Sequence, residues 1–134
     1  MIKRLEIEIK NAHYAFDRYK KISTFALLHH EDNLEVQTLA QYLRVSDKFL
    51  KIDEHTYFIK FTFTSIENTF KAAQNLLLAL DNYFNERNCY IAIEALDTTN
   101  TPNMVVNKLF QILEETRKNS YGRIEDDNIL NAIV

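Results

Sequence analysis

His29, His30, Glu31 and Asp32 stand together in the chain, and imidazole beside carboxylate is a common way to hold a metal ion or move a proton. The run closes an apolar stretch, Ile22 to His30, that reads as a β-strand. Side chains alternate between the faces of a strand, so adjacent histidines point apart and do not readily share one ion. The other histidines are His13 and His55, and no pair has the i, i+4 spacing of a helical zinc site. The residues therefore predict no metal site and no cofactor, and a polar strand end is the blander account of the run. Cys89 permits no intrachain disulfide, fits a reducing compartment, and reads as a small core residue rather than a nucleophile. Arg44 and Asp47, three apart where a helix gives way to a strand, suit a surface ion pair of small energetic worth.

Composition excludes several classes of function. A chain of 134 residues is one domain with a real core, and 46% hydrophobic with 26% charged residues is ordinary for a soluble globular protein. A net charge of −3 offers no bulk attraction for nucleic acid. No apolar run approaches the ~20 residues of a membrane span, and the N-terminus lacks the apolar core of a signal peptide, so cytoplasm is the expectation. The sequence has one glycine, Gly122, and one proline, Pro102, which excludes the glycine-rich phosphate loops.

The stretch Arg44 to Phe63 reads as a hairpin and the expected centre of the sheet. Phe49, Leu50 and Ile52 lie on its first strand and Tyr57, Phe58, Ile59, Phe61 and Phe63 on its second. Alternation in Tyr57-Ile59-Phe61-Phe63 predicts one apolar face turned inward, and Asp53-Glu54-His55-Thr56 supplies the turn. Ahead of it, residues 1–20 carry Ile2, Leu5, Ile9, Ala12, Phe16 and Tyr19 at helical spacing. That stripe either packs on the domain or pairs with the same helix of a second copy; Leu5-Ile7-Ile9 also alternates like a strand. A short helix is expected over residues 33–43. Thr64-Ser65-Ile66-Glu67 looks like a capping box opening a helix to about Glu86, with Ile66, Phe70, Ala73, Leu77, Leu80 and Phe84 inward. Cys89 to Leu96 is another strand. Thr101 caps a last helix with Pro102 in its first turn and Val105, Leu109, Ile112 and Leu113 inward, ended by Gly122; Arg123-Ile124 adds an edge strand. The divisions are an N-terminal helix (1–20), a main unit (21–125) and a C-terminal tail (126–134) that docks on the domain or on a partner. Helices on one or both faces of a mainly antiparallel central sheet make this an α+β, single palm-like domain.

The order of elements, with Arg44-Val45-Ser46-Asp47, then Lys48-Phe49-Leu50-Lys51-Ile52, then Asp53-Glu54-His55-Thr56-Tyr57, resembles the GGDEF domain of the diguanylate cyclases over about residues 1–124. In that family an Arg-x-x-Asp pair precedes the signature turn by five residues. The turn falls on Asp53 to Tyr57, an Ala-Lys-x-x-Gly run on Thr116 to Ser120, and the closing strand on Arg123-Ile124. The departures bear on chemistry. Asp53 and Glu54 replace the two glycines that let the turn approach GTP, and their charge repels a triphosphate. His55 replaces an acid that helps hold magnesium, an ion that prefers oxygen ligands, and Thr56 brings no charge. A further metal-binding aspartate falls near Glu31, and only Asp32-Asn33-Leu34 stands where relatives carry a nucleotide-gripping helix and loop.

The resemblance therefore implies a degenerate, catalytically inactive, regulatory or interaction domain in signalling, not an enzyme. It also implies a ligand site at Arg44 and Asp47, because in the family this pair is the inhibitory site for cyclic di-GMP. Arg44 would meet a phosphate or a guanine edge and Asp47 would accept from guanine N–H groups, although an assisting arginine is replaced by Asn75. The alternative is a ligand-free scaffold that dimerises through its N-terminal helix. The partners expected are cyclic di-GMP, another protein or a second copy, with no nucleic acid and no membrane.

Overall fold

The computed structural model describes residues 2–131, without the Ile2 side chain. The stripe position Ile2 and tail residues 132–134 thus lie outside the described side chains. The elements are α1 (Ile2–Tyr19), β1 (Thr24–His30), α2 (Val36–Ala40), β2 (Lys48–Lys51), β3 (Thr56–Phe61), α3 (Ile66–Phe84), β4 (Cys89–Glu94), α4 (Pro102–Asn119), β5 (Ile124–Glu125) and α5 (Asn128–Asn131). Their order is the predicted one with a terminal turn of helix added, and the α+β class stands.

The strands lie in the order β2-β3-β1-β4-β5. β1 is antiparallel to both β3 and β4, β2 is antiparallel to β3, and β4 and β5 run parallel. The centre of the sheet is therefore β1, not the hairpin, and β2 forms an edge. The hairpin was expected at the centre because it is rich in aromatics. Thr24-Phe25-Ala26-Leu27-Leu28 carries bulk on both faces, however, and that is what a strand needs to be covered on both sides.

Both faces are covered. On one, α3 places Ala73, Leu76, Leu77 and Leu80 over Ala26, Leu28, Tyr57, Ile59, Ile91 and Ile93. On the other, α1 and α4 place Leu5, Ile9, Ala12, Val105, Leu109 and Ile112 over Phe25, Leu27, Phe58 and Ala92. Each such large side chain contributes about 1.5–3 kcal/mol by leaving water. Every residue of β3 is buried, which corrects the expectation of a single inward face. Lys60, on the α1 side, is buried because Glu8 of α1 accepts from its Nζ at 2.8 Å. The N-terminal stripe is thus mostly core: Leu5, Ile9 and Ala12 are buried against the chain's own sheet, while Tyr19 is exposed. Of the two readings of the stripe, packing on the domain is the one these three residues follow. At the other terminus, Ile129 docks in the same layer.

Three local expectations are corrected. Phe63 lies beyond β3, exposed and at φ 55°, rather than on the inner face. Ser65, not Thr64, caps α3, accepting from Asn68 N at 3.2 Å; Thr64 is taken by Arg44, as described below. Gly122 does not take the left-handed conformation after α4. Arg123 does, at φ 67°, held by Asp81 and by the Cys89 carbonyl.

Candidate functional site

The alternation of β1 sends His29 and His30 to opposite faces, as the sequence reading required. His30 is fully buried beside α3, its ring 4.2 Å from that of Phe84, and its Nδ1 accepts from the Asp32 N–H at 3.1 Å. His29 faces α4 and lines a cleft of about 640 Å³ between the end of β1, the β2–β3 turn and the last turns of α4. Glu31, Asp53, Thr56, Phe110, Arg117 and Lys118 line it as well. The register explains the assembly: His29 lies opposite Thr56, so the end of β1 and the end of the turn are neighbours. α4 crosses this face and brings its C-terminal basic residues to the same place.

The polar groups of the cleft are engaged with one another. His29 Nδ1 lies 3.1 Å from Thr56 Oγ1, and its Nε2 lies 3.7 Å from Glu31 Oε1. Arg117 Nη2 donates to the same carboxylate oxygen at 3.2 Å. Burial, then the Arg117 guanidinium, hold His29 below the ordinary histidine range, with Glu31 opposing. His29 is therefore largely neutral at pH 7. His55 turns from the cleft's carboxylate and donates from Nδ1 to the His30 carbonyl at 3.0 Å, while Asp53 Oδ1 accepts from His55 N at 2.8 Å.

This donor set does not fit the two magnesium ions that the resemblance would bring. Of the carboxylates that line the cleft, Glu31 is paired with Arg117, Glu114 with Lys118, and Asp53 accepts from the His55 N–H, while magnesium prefers free carboxylate and water oxygens. Among the described residues no three histidine, cysteine, aspartate or glutamate side chains are grouped to hold an ion. Cys89 is buried and its thiol is pushed far upward by that burial, so it serves as core.

Arg44 and Asp47 lie elsewhere. Lys48 pairs with Lys60 and Lys51 with Tyr57, so Asp47 stands at the end of the hairpin opposite its turn. The expectation that both side chains are at the surface is half corrected: Asp47 is buried, with 2% of its side chain exposed, while Arg44 retains 56%. The Asp47 carboxylate is saturated. Oδ1 accepts from Arg44 Nη2 at 2.7 Å and from Thr62 N at 3.3 Å, and Oδ2 accepts from Arg44 N and Nε, both at 3.2 Å. Arg44 Nη2 also donates to the Thr62 carbonyl at 3.0 Å and to Thr64 Oγ1 at 2.6 Å. The pair ties the segment before β2 to the segment after β3. Asn75 lies on the exposed side of α3. Sequence reasoning did not assign Thr56 or Arg117 to a site. The signal for Arg117 was its place in the run Thr116 to Ser120; Thr56 needed the register.

No family model matches the sequence, and no curated protein is similar to it in sequence. Among solved structures, the fold is similar to that of the diguanylate cyclase SiaD from Pseudomonas aeruginosa, determined in complex with its activator SiaC. The TM-score is 0.76 at 9% identity, over 92% of this chain and 57% of that one. The chain thus spans little more than half the length of SiaD, and at this identity the likeness establishes a diguanylate cyclase-like fold and nothing further. No helix among the described residues is long and apolar enough to cross a membrane.

Proposed function

We propose that this chain is a catalytically silent domain of the diguanylate cyclase-like fold that acts through contact with another protein. The observation that carries the reading is the Glu31–Arg117–His29 cluster. At the end of β1, the one carboxylate that the resemblance aligns with a metal ligand is instead bound to a guanidinium and lies near a neutral imidazole. Two-metal phosphoryl transfer needs free, positioned carboxylates, and an ion pair in their place serves to hold the end of α4 to β1. A protein partner is consistent with the solved neighbour, a cyclase bound to its activator. The test is incubation of the pure chain with GTP and magnesium or manganese, followed by chromatography. No cyclic dinucleotide is expected, and its formation would overturn the reading.

A second reading, a cyclic di-GMP receptor at Arg44, is favoured by one observation: more than half of that guanidinium side chain is exposed. Against it, every bond that Asp47 would offer to guanine is already made within the chain. Calorimetry with cyclic di-GMP separates the two. Heat that disappears in Arg44→Ala establishes the receptor, and no heat from the wild type leaves Arg44 and Asp47 as a structural tie.

A further inference from the structure

Beyond β3 the chain makes a short tip, Thr62-Phe63-Thr64, whose middle residue is neither buried nor at ease. Phe63 takes a left-handed backbone at φ 55°, costly for a bulky side chain, and yet leaves 56% of itself exposed. Two other segments hold the tip in place. Arg44 Nη2 donates to the Thr62 carbonyl at 3.0 Å and to Thr64 Oγ1 at 2.6 Å. From the start of β1, Ser23 Oγ accepts from Phe63 N at 3.1 Å, and Thr24 Oγ1 donates to the Thr64 carbonyl at 2.8 Å. An exposed ring fixed in this way needs no ordering when a partner arrives, which is what a binding anchor requires.

We propose that Phe63 and Ile22 form the centre of a docking surface for an acidic segment of a partner protein, one that sets apolar side chains beside carboxylates. Thr24 pairs with Phe61, so the residues before β1 and after β3 leave the sheet side by side. Ile22, 45% exposed, thus adds an apolar group at the end of the sheet where the ring stands. The charge there is positive in a chain of net −3: the run Asp17 to Ile22 carries Arg18, Lys20 and Lys21 against one acid. The other acid at hand, Asp47, is spent on Arg44. Lys21 Nζ stands 5.7 Å from the centroid of the Phe63 ring, and Lys20 Nζ 5.4 Å from that of Phe16. Among the described residues neither ammonium has a carboxylate within 4 Å, so both are open to one from outside.

A lipid surface suits the arrangement less well. A ring with an ammonium over its face takes that charge with it below the headgroups, whereas a carboxylate beside an apolar side chain satisfies both groups at once. The assignment rests on the proposal that the chain acts through another protein; GTP turnover tests that proposal, and peptide binding tests this surface.

The probe is the capped peptide Glu-Leu-Glu-Glu-Leu-Glu, titrated into the isotopically labelled full chain and followed by NMR. Saturable shifts are expected at the amides of Lys21, Ile22, Phe63 and Thr64. The same peptide with glutamine for glutamate should bind about threefold more weakly or worse, and so should the original peptide to Lys21→Gln. Phe63→Asn should weaken binding by about tenfold or more. Asparagine suits the left-handed backbone, so this variant should keep or raise the Tm, a combination that a merely structural Phe63 would not give. No shifts at the tip, equal affinity for the glutamine peptide, unchanged binding in Phe63→Asn, or a fall of more than about 5 °C in its Tm would overturn the assignment. So would attachment to phosphatidylserine vesicles, or self-association in sedimentation, that Phe63→Asn abolishes, since the surface would then belong to a lipid or to a second copy.

Discussion

At the end of the sheet near Arg44, Asp47 and Glu94 are buried; at the end near His29, Glu31 stays 44% exposed, with an arginine and a neutral ring as its partners. Asp47 and Glu94 share the first end and nearly the same burial, yet their circumstances are opposite. Asp47 meets four donors, two of them backbone N–H groups fixed by the chain itself. Glu94 meets one distant lysine and leaves an oxygen unpaired. Burial alone therefore does not say whether an ionised carboxylate stabilises the fold or costs it. The number of donors around it does.

The comparison is broken most directly at Asp47. Asp47→Ala removes the acceptor for Thr62 N and Arg44 N as well as the ion pair, and is expected to cost about 2–3 kcal/mol in urea unfolding. That is well above the small energetic worth of a surface ion pair. A loss below about 0.5 kcal/mol, the scale of a surface pair, would show that the buried tie contributes nothing special.

Glu94 is expected to act in the opposite sense. Its folded carboxyl is raised from 4.5 to about 7, so the folded state holds its proton more tightly than the unfolded chain does. Its contribution is fully present below the unfolded value and is lost as pH rises from about 4.5 to about 7, on the order of 2 kcal/mol in all. Glu94→Gln should remove that slope from the plot of stability against pH. An unchanged slope would mean that Glu94 is solvated after all.

The smallest effect belongs to the other end. Glu31→Gln breaks an exposed pair and is expected to change stability by less than about 0.5 kcal/mol. It should lower the His29 titration seen by NMR still further, because Glu31, ahead of Asp53, favours the charged ring. His29 is a depressed base, so its stability contribution is present above about 6.5 and is lost as pH falls through the lower folded value. A rise in the His29 titration on Glu31→Gln would contradict the arrangement of the cleft.

Much of the fold was legible in the residues. The helical stripe Leu5-Ile9-Ala12 and the inward face Val105-Leu109-Ile112-Leu113 are buried as their spacing requires, since helical period decides a face without reference to anything else. The opposed directions of His29 and His30 follow in the same way from the period of a strand. Which strand is central could not be read from composition, because β1 and the hairpin are both apolar and only pairing decides between them. The burial of Asp47 and the exposure of Arg44 were hidden for a similar reason: Thr62 and Thr64, which close the tie, are brought there by β3 returning beside β2. The meeting of Glu31 with Arg117, 86 positions apart, and of Glu94 with Lys108 and Asp127 likewise depends on α4 crossing the sheet. Local sequence determined period, caps and faces, which need only neighbours within a turn or two. Tertiary structure decided which charges meet, because an ion pair needs two distant segments placed within 4 Å and nothing in either segment alone records the other.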